Sequence, residues 1–202
     1  MRSRLALAAF ALVFVALPLA AQSNDVGIWL AGDRVKNTSF DASSEIRFTH
    51  GHGYGLSINH YWCSRFSTEL MGTSLRHNSA LFLNGDRAFG TGRLELTAIS
   101  LTGQLHLNRD MMFDPYLSGG VAHITAKDLK SSDLDSAGIG NVRIDSKTSW
   151  TAGVGANFNV MKSLTVAVDA RYMHYRPSSG TSASDQVELN LDPVVVSAGV
   201  KF

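Results

Sequence analysis

The residues of this chain best equipped for chemistry are its seven histidines, its single cysteine and a few charges set inside apolar stretches. Four kinds of chemistry are open to them: nucleophilic catalysis, metal ligation, thiol chemistry and the passage of protons or ions. A nucleophilic site needs a hydroxyl or thiol within reach of a histidine that a third group orients. His60, His106, His123 and His174 scatter over both faces of the strands assigned below, and only His106 is a firm inward histidine. No inward serine with a neighbouring acid stands out on adjacent strands, so no catalytic residue, no enzymatic activity and no cofactor is expected. His50 and His52 supply two ligands of the four that a closed metal site needs, and nothing completes the set at recognisable spacing, so no metal is expected. Cys63 has no partner for an internal disulfide and is expected to be a buried bystander. The meaning of Glu69, Asp169, Arg171 and Lys201 depends on the elements that carry them.

Two regions come first. Arg2 and Arg4 precede the uncharged apolar run 5–19 and the small residues Ala20 and Ala21, the order of a secretory signal peptide. Residues 1–21 are therefore set apart, and 22–202 read as one domain. Removing Arg2 and Arg4 leaves 16 basic against 17 acidic residues, a balance that gives no reason to expect nucleic acid as a partner. No other apolar stretch approaches the ~20 residues of a spanning helix, so membrane integration would have to be by strands.

Period-two alternation, the mark of a strand with one apolar face, recurs along the domain. It is clear in 54–62, 150–158, 164–172 and the closing run 194–202, moderate in 66–76, and absent from the uniformly apolar 27–31, whose faces stay unassigned. In 92–108 the apolar set shifts phase, from Leu94, Leu96 and Ala98 to Ile99, Leu101, Leu105 and Leu107, which predicts a β-bulge near Ala98. With 113–124 the count is about eight strands. Short turns near Cys63, Arg109 and Met161 alternate with longer connections near Asn37, Asn84, Asp133 and Gly180. Such sorting fits a barrel whose two rims face different compartments. The polar strand face holds Gly, Ser, Thr, Asn and Gln, and closing the sheet with the apolar face outward satisfies every backbone group in lipid. Aromatics then fall into two girdles: Trp62, Phe66, Phe113, Phe158 and Phe202 beside the short turns, and Tyr54, Trp150 and Tyr172 toward the long ones. The expected fold is all-β, an eight-stranded antiparallel up-and-down transmembrane barrel in a bacterial outer membrane.

Phe113–Ile124 (FDPYLSGGVAHI), Ser149–Val160 (SWTAGVGANFNV), Leu164–Tyr175 (LTVAVDARYMHY) and Leu191–Phe202 (LDPVVVSAGVKF) resemble, in order and spacing, four consecutive strand motifs of the OmpW/AlkL family. The family's Trp after Asp-Pro is Val194 here. The resemblance implies an eight-stranded outer-membrane barrel that passes small hydrophobic compounds. A terminal Phe is similar to the ending that the barrel-assembly machinery reads, which makes Phe202 the expected assembly signal and that machinery a partner, with outer-membrane lipid and small hydrophobic solutes.

With the faces assigned, the lumen divides into two layers. Glu69, Gln104, His106, Asp169, Arg171 and Lys201, with Asn59, form a polar plug toward the short turns. Met71, Leu75, Ile124, Leu189, Leu191 and Val195 line an apolar upper lumen suited to capturing a greasy solute. The plug charges read as mutually paired groups rather than an ion path. Pro193, which cannot donate to a sheet ladder, reads either as a loosening of the seam between the first and last strands that gives a lateral exit or as a simple strand-end proline. The alternative function is a structural or adhesion barrel acting through its surface loops.

Overall fold

The computed structural model describes residues 24–39, 44–109, 111–129, 132, 136, 142–161, 163–180 and 187–202. The expected signal peptide, 1–21, lies outside the described residues. Eight long strands carry the architecture: β1 (Asn24–Arg34), β2 (Gly51–Tyr61), β3 (Phe66–Leu83), β4 (Asp86–His106), β5 (Phe113–Ala126), β6 (Lys147–Met161), β7 (Leu164–Met173) and β8 (Val194–Lys201). Each pairs antiparallel with the next, and β8 returns to β1 in a continuous register from Gly27↔Lys201 to Arg34↔Val194. The eight strands thereby close into a barrel.

Strict alternation decides what faces where. Ile28, Leu30, Leu56, Leu70, Ile99, Leu101, Leu117, Val154 and Val196 are exposed on the outside, while Asn59, Glu69, Gln104, His106, Asp169 and Lys201 are buried inside. A water-soluble barrel of this size would invert that distribution. An apolar exterior around a polar interior is the arrangement that hydrocarbon stabilises. The girdle residues Trp62, Phe66, Phe113, Phe158, Phe202, Tyr54 and Trp150 are exposed as that reading requires.

The short connections β2–β3, β4–β5 and β6–β7 lie at one rim. At the other rim two short strands, Thr38–Ser39 and Ser44–Phe48, form a hairpin whose second member pairs with upper β3. Three more, Arg143–Ile144, Ser178–Gly180 and Val187–Glu188, make a small sheet over the mouth.

Three expectations are corrected. The longer connection expected near Asn84, residues 77–91, is not a loop: β3 and β4 run on as a hairpin to the two-residue turn Asn84-Gly85, with φ of 51° and 89°. Positive φ at both central residues is the type I′ geometry that Asn-Gly favours, so the signal stood in the sequence. The bulge near Ala98 is absent, since β4 pairs in unbroken register from Gly92 to Leu105 and its irregularities fall instead opposite Ser79–Phe82 of β3. The phase change is real but means something else: Leu94, Leu96 and Ala98 face the lumen, whereas Ile99, Leu101 and Leu105 face outward. Lastly, Cys63 is exposed, because the turn that carries it projects from the rim.

Candidate functional site

The lower lumen is an electrostatic network. Arg171 on β7 crosses to β3, where Nη2 donates to Glu69 Oε2 at 2.8 Å, while Nε donates to Asp169 Oδ1 at 3.1 Å and Nη1 to Ser100 Oγ at 3.2 Å. Tyr116 from β5 donates to Asp169 Oδ2 at 3.0 Å. Tyr116 fits because β6 offers Gly155 beside it, where a Cβ would lie 2.3 Å from the ring. Lys201 of β8 donates to Asn157 Oδ1 at 3.0 Å, and its Nζ lies 5.4 Å from the ring centres of Trp29 and Tyr116. Paired buried charges of this kind close a narrow barrel. Glu69 Oε1, Thr102 Oγ1 and Gln104 Nε2 are buried without a close protein hydrogen-bond partner among the described residues.

Nearer the short-turn rim the structure assembles what the sequence reading did not find. Ser67 Oγ lies 2.9 Å from His106 Nε2, and His106 Nδ1 lies 2.6 Å from Asp114 Oδ2, the order of a nucleophile, base and orienting acid. Asp114 is held further by Asn157 Nδ2 at 3.1 Å and the Asn108 amide at 3.3 Å. The signal was parity, since the outward Phe113 makes Asp114 inward; the pairing itself needed the fold. Ser67 is wholly buried, His106 packs against the Tyr61 and Tyr116 rings, and the Arg109 guanidinium stacks 3.6 Å from Tyr61. All three groups are buried, and they orient one another within the plug. His106 is also not the only inward histidine: His77 Nε2 lies 3.1 Å from Asp33 Oδ2, both buried, and Nδ1 lies 3.2 Å from the Thr49 carbonyl.

Above the plug the lumen is apolar. Leu75, Ile124, Leu189, Leu191 and Val195 form one buried cluster, joined by Leu94, Leu96 and Ala98 of β4 and by Leu129, Ile144, Met173 and Tyr175. Met71 does not join it. Its side chain packs with Trp29 and Ala167 at the level of the plug, because the tilt of β3 sets it below Leu75. Ile144 of the small sheet and Leu129 thus pack into the same cluster as the strand residues.

The seam above β8 is held rather than loosened. Beyond Arg34↔Val194, Lys36 N donates to Leu191 O at 3.0 Å, and Met173 N donates to Pro193 O at 2.9 Å. Asp192, at φ 28°, turns its buried carboxylate between the strands. There it meets Lys36 Nζ at 3.2 Å, Arg176 Nη2 at 3.4 Å, His174 Nδ1 at 3.1 Å and the Tyr175 amide at 3.1 Å. Burial raises the Asp192 carboxyl, but Lys36, the Tyr175 amide and Tyr172 outweigh it and hold the group below the usual carboxylate range. Among the described residues no group of three or more His, Cys, Asp or Glu side chains could hold a metal ion.

The whole architecture has solved counterparts. The outer membrane protein OprG from Pseudomonas aeruginosa superposes with a TM-score of 0.77 at 15% identity, covering 89% of this chain and 96% of that one. AlkL in DMPC lipid bilayers gives 0.62 at 15% identity, covering 90% of each chain. Neisserial surface protein A gives 0.62 at 13% identity, covering 88% of this chain and 95% of that one. No curated protein sequence matches the chain. The family model described as the outer membrane protein beta-barrel domain matches residues 6–202. With its apolar exterior, closed eight-stranded sheet and polar interior, the chain belongs to the outer membrane protein beta-barrel domain family and resides in the bacterial outer membrane.

Proposed function

We propose that the barrel takes up small hydrophobic molecules, receiving them in the apolar upper lumen and releasing them sideways into the membrane. The observation that carries this reading is the stacking of an apolar chamber, Leu75, Leu94, Leu96, Ile124, Leu189, Leu191 and Val195, on a charged layer built on Arg171, Glu69 and Asp169. A greasy solute gains from entering the first and loses by crossing the second, because desolvated charges offer it nothing. Entry requires the caps around Leu129, Ile144 and Leu189 to part, and exit requires the wall to open above Val194, where Asp192 clasps β1 to the end of β7. The resemblance to the OmpW/AlkL family and the similarity to OprG and AlkL support uptake of small molecules by this chain.

The test is permeation of vesicles containing the purified barrel, with solutes graded from apolar to polar. Leu191→Asp puts a charge among apolar neighbours at a cost of several kcal/mol unless water reaches it. Uptake of apolar solutes is expected to fall while the heat-modifiable gel shift still reports an assembled barrel; Leu96→Asp, on another strand, should repeat the effect. Unchanged apolar uptake in both variants, or wild-type passage of sugars as readily as apolar solutes, refutes the proposal. A structural or adhesion role is favoured by one feature, the long β3–β4 hairpin. A 21-residue strand exceeds the ~10 residues a bilayer needs by roughly 35 Å of chain. Loss of a binding activity on shortening that hairpin, with permeation unchanged, would select this second reading.

A further inference from the structure

The outward face of β2–β5 just above the upper aromatic girdle carries an unexplained concentration of positive charge. Cross-strand register sets the heights. Tyr54, Ser74 and Thr97 lie in one outward row, and one step above them His52, Arg76 and Glu95 form the next. Lys127 continues that row, its amide donating to the Glu95 carbonyl at 2.9 Å. Asn78 and Arg93 pair in the row above. Successive same-face positions are about 7 Å apart along a strand, so with Tyr54 at the interface these cations stand at headgroup height.

The rows enclose space. A pocket of about 240 Å³ is lined by Thr49, His50, His52, Arg76, His77, Asn78 and Arg93, and it shares Thr49, Asn78 and Arg93 with a larger cleft of about 920 Å³ beside Arg47, Arg87 and Lys127. Glu95 and Asp128 are the carboxylates lining that cleft among the described residues. Glu95 is already engaged by Lys127 and, at 3.5 Å, by Arg76, and Lys127 holds its carboxyl below the ordinary range with help from Arg76 and Arg93. Arg93, His50 and His52 have no carboxylate within ion-pair distance among the described residues. Directly below, the outward wall is hollow. Gly72 has open space where a Cβ would be, and Gly72 and Ser74 are flanked by Leu56 and Tyr54 on one side and by Ile99 and Thr97 on the other. Leu56, Tyr54 and Ile99 are all exposed.

We propose that this pocket binds the phosphate of a glycolipid of the outer leaflet, with one acyl chain lying in the furrow over Gly72 and Ser74. Guanidinium groups recognise phosphate through paired N–H donors, and the furrow beneath distinguishes an acylated ligand from a soluble anion. Arg76, Arg93 and Gly72 stand on the outward strand face, apart from the apolar chamber, which makes this site independent of the transport reading.

The experiment uses the full folded barrel in detergent micelles and three probes: bisphosphorylated lipid A, the same lipid A enzymatically dephosphorylated, and inorganic phosphate. Arg76→Gln/Arg93→Gln is expected to weaken binding of bisphosphorylated lipid A at least about tenfold, with dephosphorylated lipid A bound weakly and equally by both proteins. Gly72→Leu, whose side chain has room, should fill the furrow and weaken lipid A binding several-fold while leaving the phosphate response unchanged. The heat-modifiable gel shift confirms that each variant is folded. Equal binding of the two lipid A forms, no loss in either variant, or inorganic phosphate bound as tightly as lipid A overturns the proposal.

Discussion

The plug makes an asymmetric prediction about its own charges. Arg171 is shared by two carboxylates, Glu69 at 2.8 Å and Asp169 at 3.1 Å, and all three side chains are at most 3% exposed. Replacing Arg171 by Met keeps the volume but leaves both carboxylates buried beside no guanidinium. Breaking a buried pair in that direction costs ~3–5 kcal/mol. Replacing Glu69 by Gln leaves Arg171 held by Asp169 at 3.1 and 3.3 Å, and removes one charge-assisted bond worth roughly 1.5–3 kcal/mol. Arg171→Met should therefore be the more damaging change by about 1–3 kcal/mol. Equilibrium urea unfolding of the barrel in lipid vesicles, read by tryptophan fluorescence and extrapolated linearly, measures both. Equal losses, or a larger loss for Glu69→Gln, would mean that Lys201 or water neutralises the layer and that Arg171 is not its centre. Planar-bilayer recordings add a functional arm: Glu69→Ala removes one of the buried charges that close the plug and should raise small-ion conductance while apolar uptake stays nearly unchanged.

Further outcomes follow from the rims. Cys63, exposed on the turn between β2 and β3, should react with a membrane-impermeant maleimide only after the outer membrane is permeabilised; labelling of intact cells would invert the topology. Phe202 is 58% exposed, while its amide and carbonyl each pair with Val26 at 3.0 Å. Phe202→Ala should lower barrel yield in cells and leave refolding in detergent near normal, and equal losses in both would make it a packing residue only. Asp192 has a depressed carboxyl pKa, so its contribution is present above the ordinary value near 3.9 and fades as pH falls through the lower folded value. Thermal unfolding of wild type should show a loss below about pH 4 that Asp192→Asn lacks; parallel pH profiles would remove the clasp from the account.

The apolar and polar faces of 54–62, 66–76, 150–158 and 164–172 could be read directly, because a strand turns successive side chains to opposite faces and lipid demands one continuous apolar side. The same parity made Glu69, Gln104, Asp169, Arg171 and Lys201 inward without any coordinates, and the sorting of short and long connections identified the two rims. Parity ends at the single strand. It cannot say which inward residues share a level, since that depends on the stagger with which eight tilted strands close. Hence Arg171 meets Glu69 across 102 residues of sequence, Ser67 and Asp114 converge on His106, and Met71 lies below the apolar layer instead of within it. The same limit explains β4, where a change of apolar phase reads equally as a bulge or as a strand whose upper half is apolar inward. Only pairing with β3 and β5 decides between them. Asp192 is the clearest case. Nothing local marks it as more than a loop acid before a proline, yet closing β8 between β1 and β7 brings Lys36, His174 and Arg176 onto one buried carboxylate.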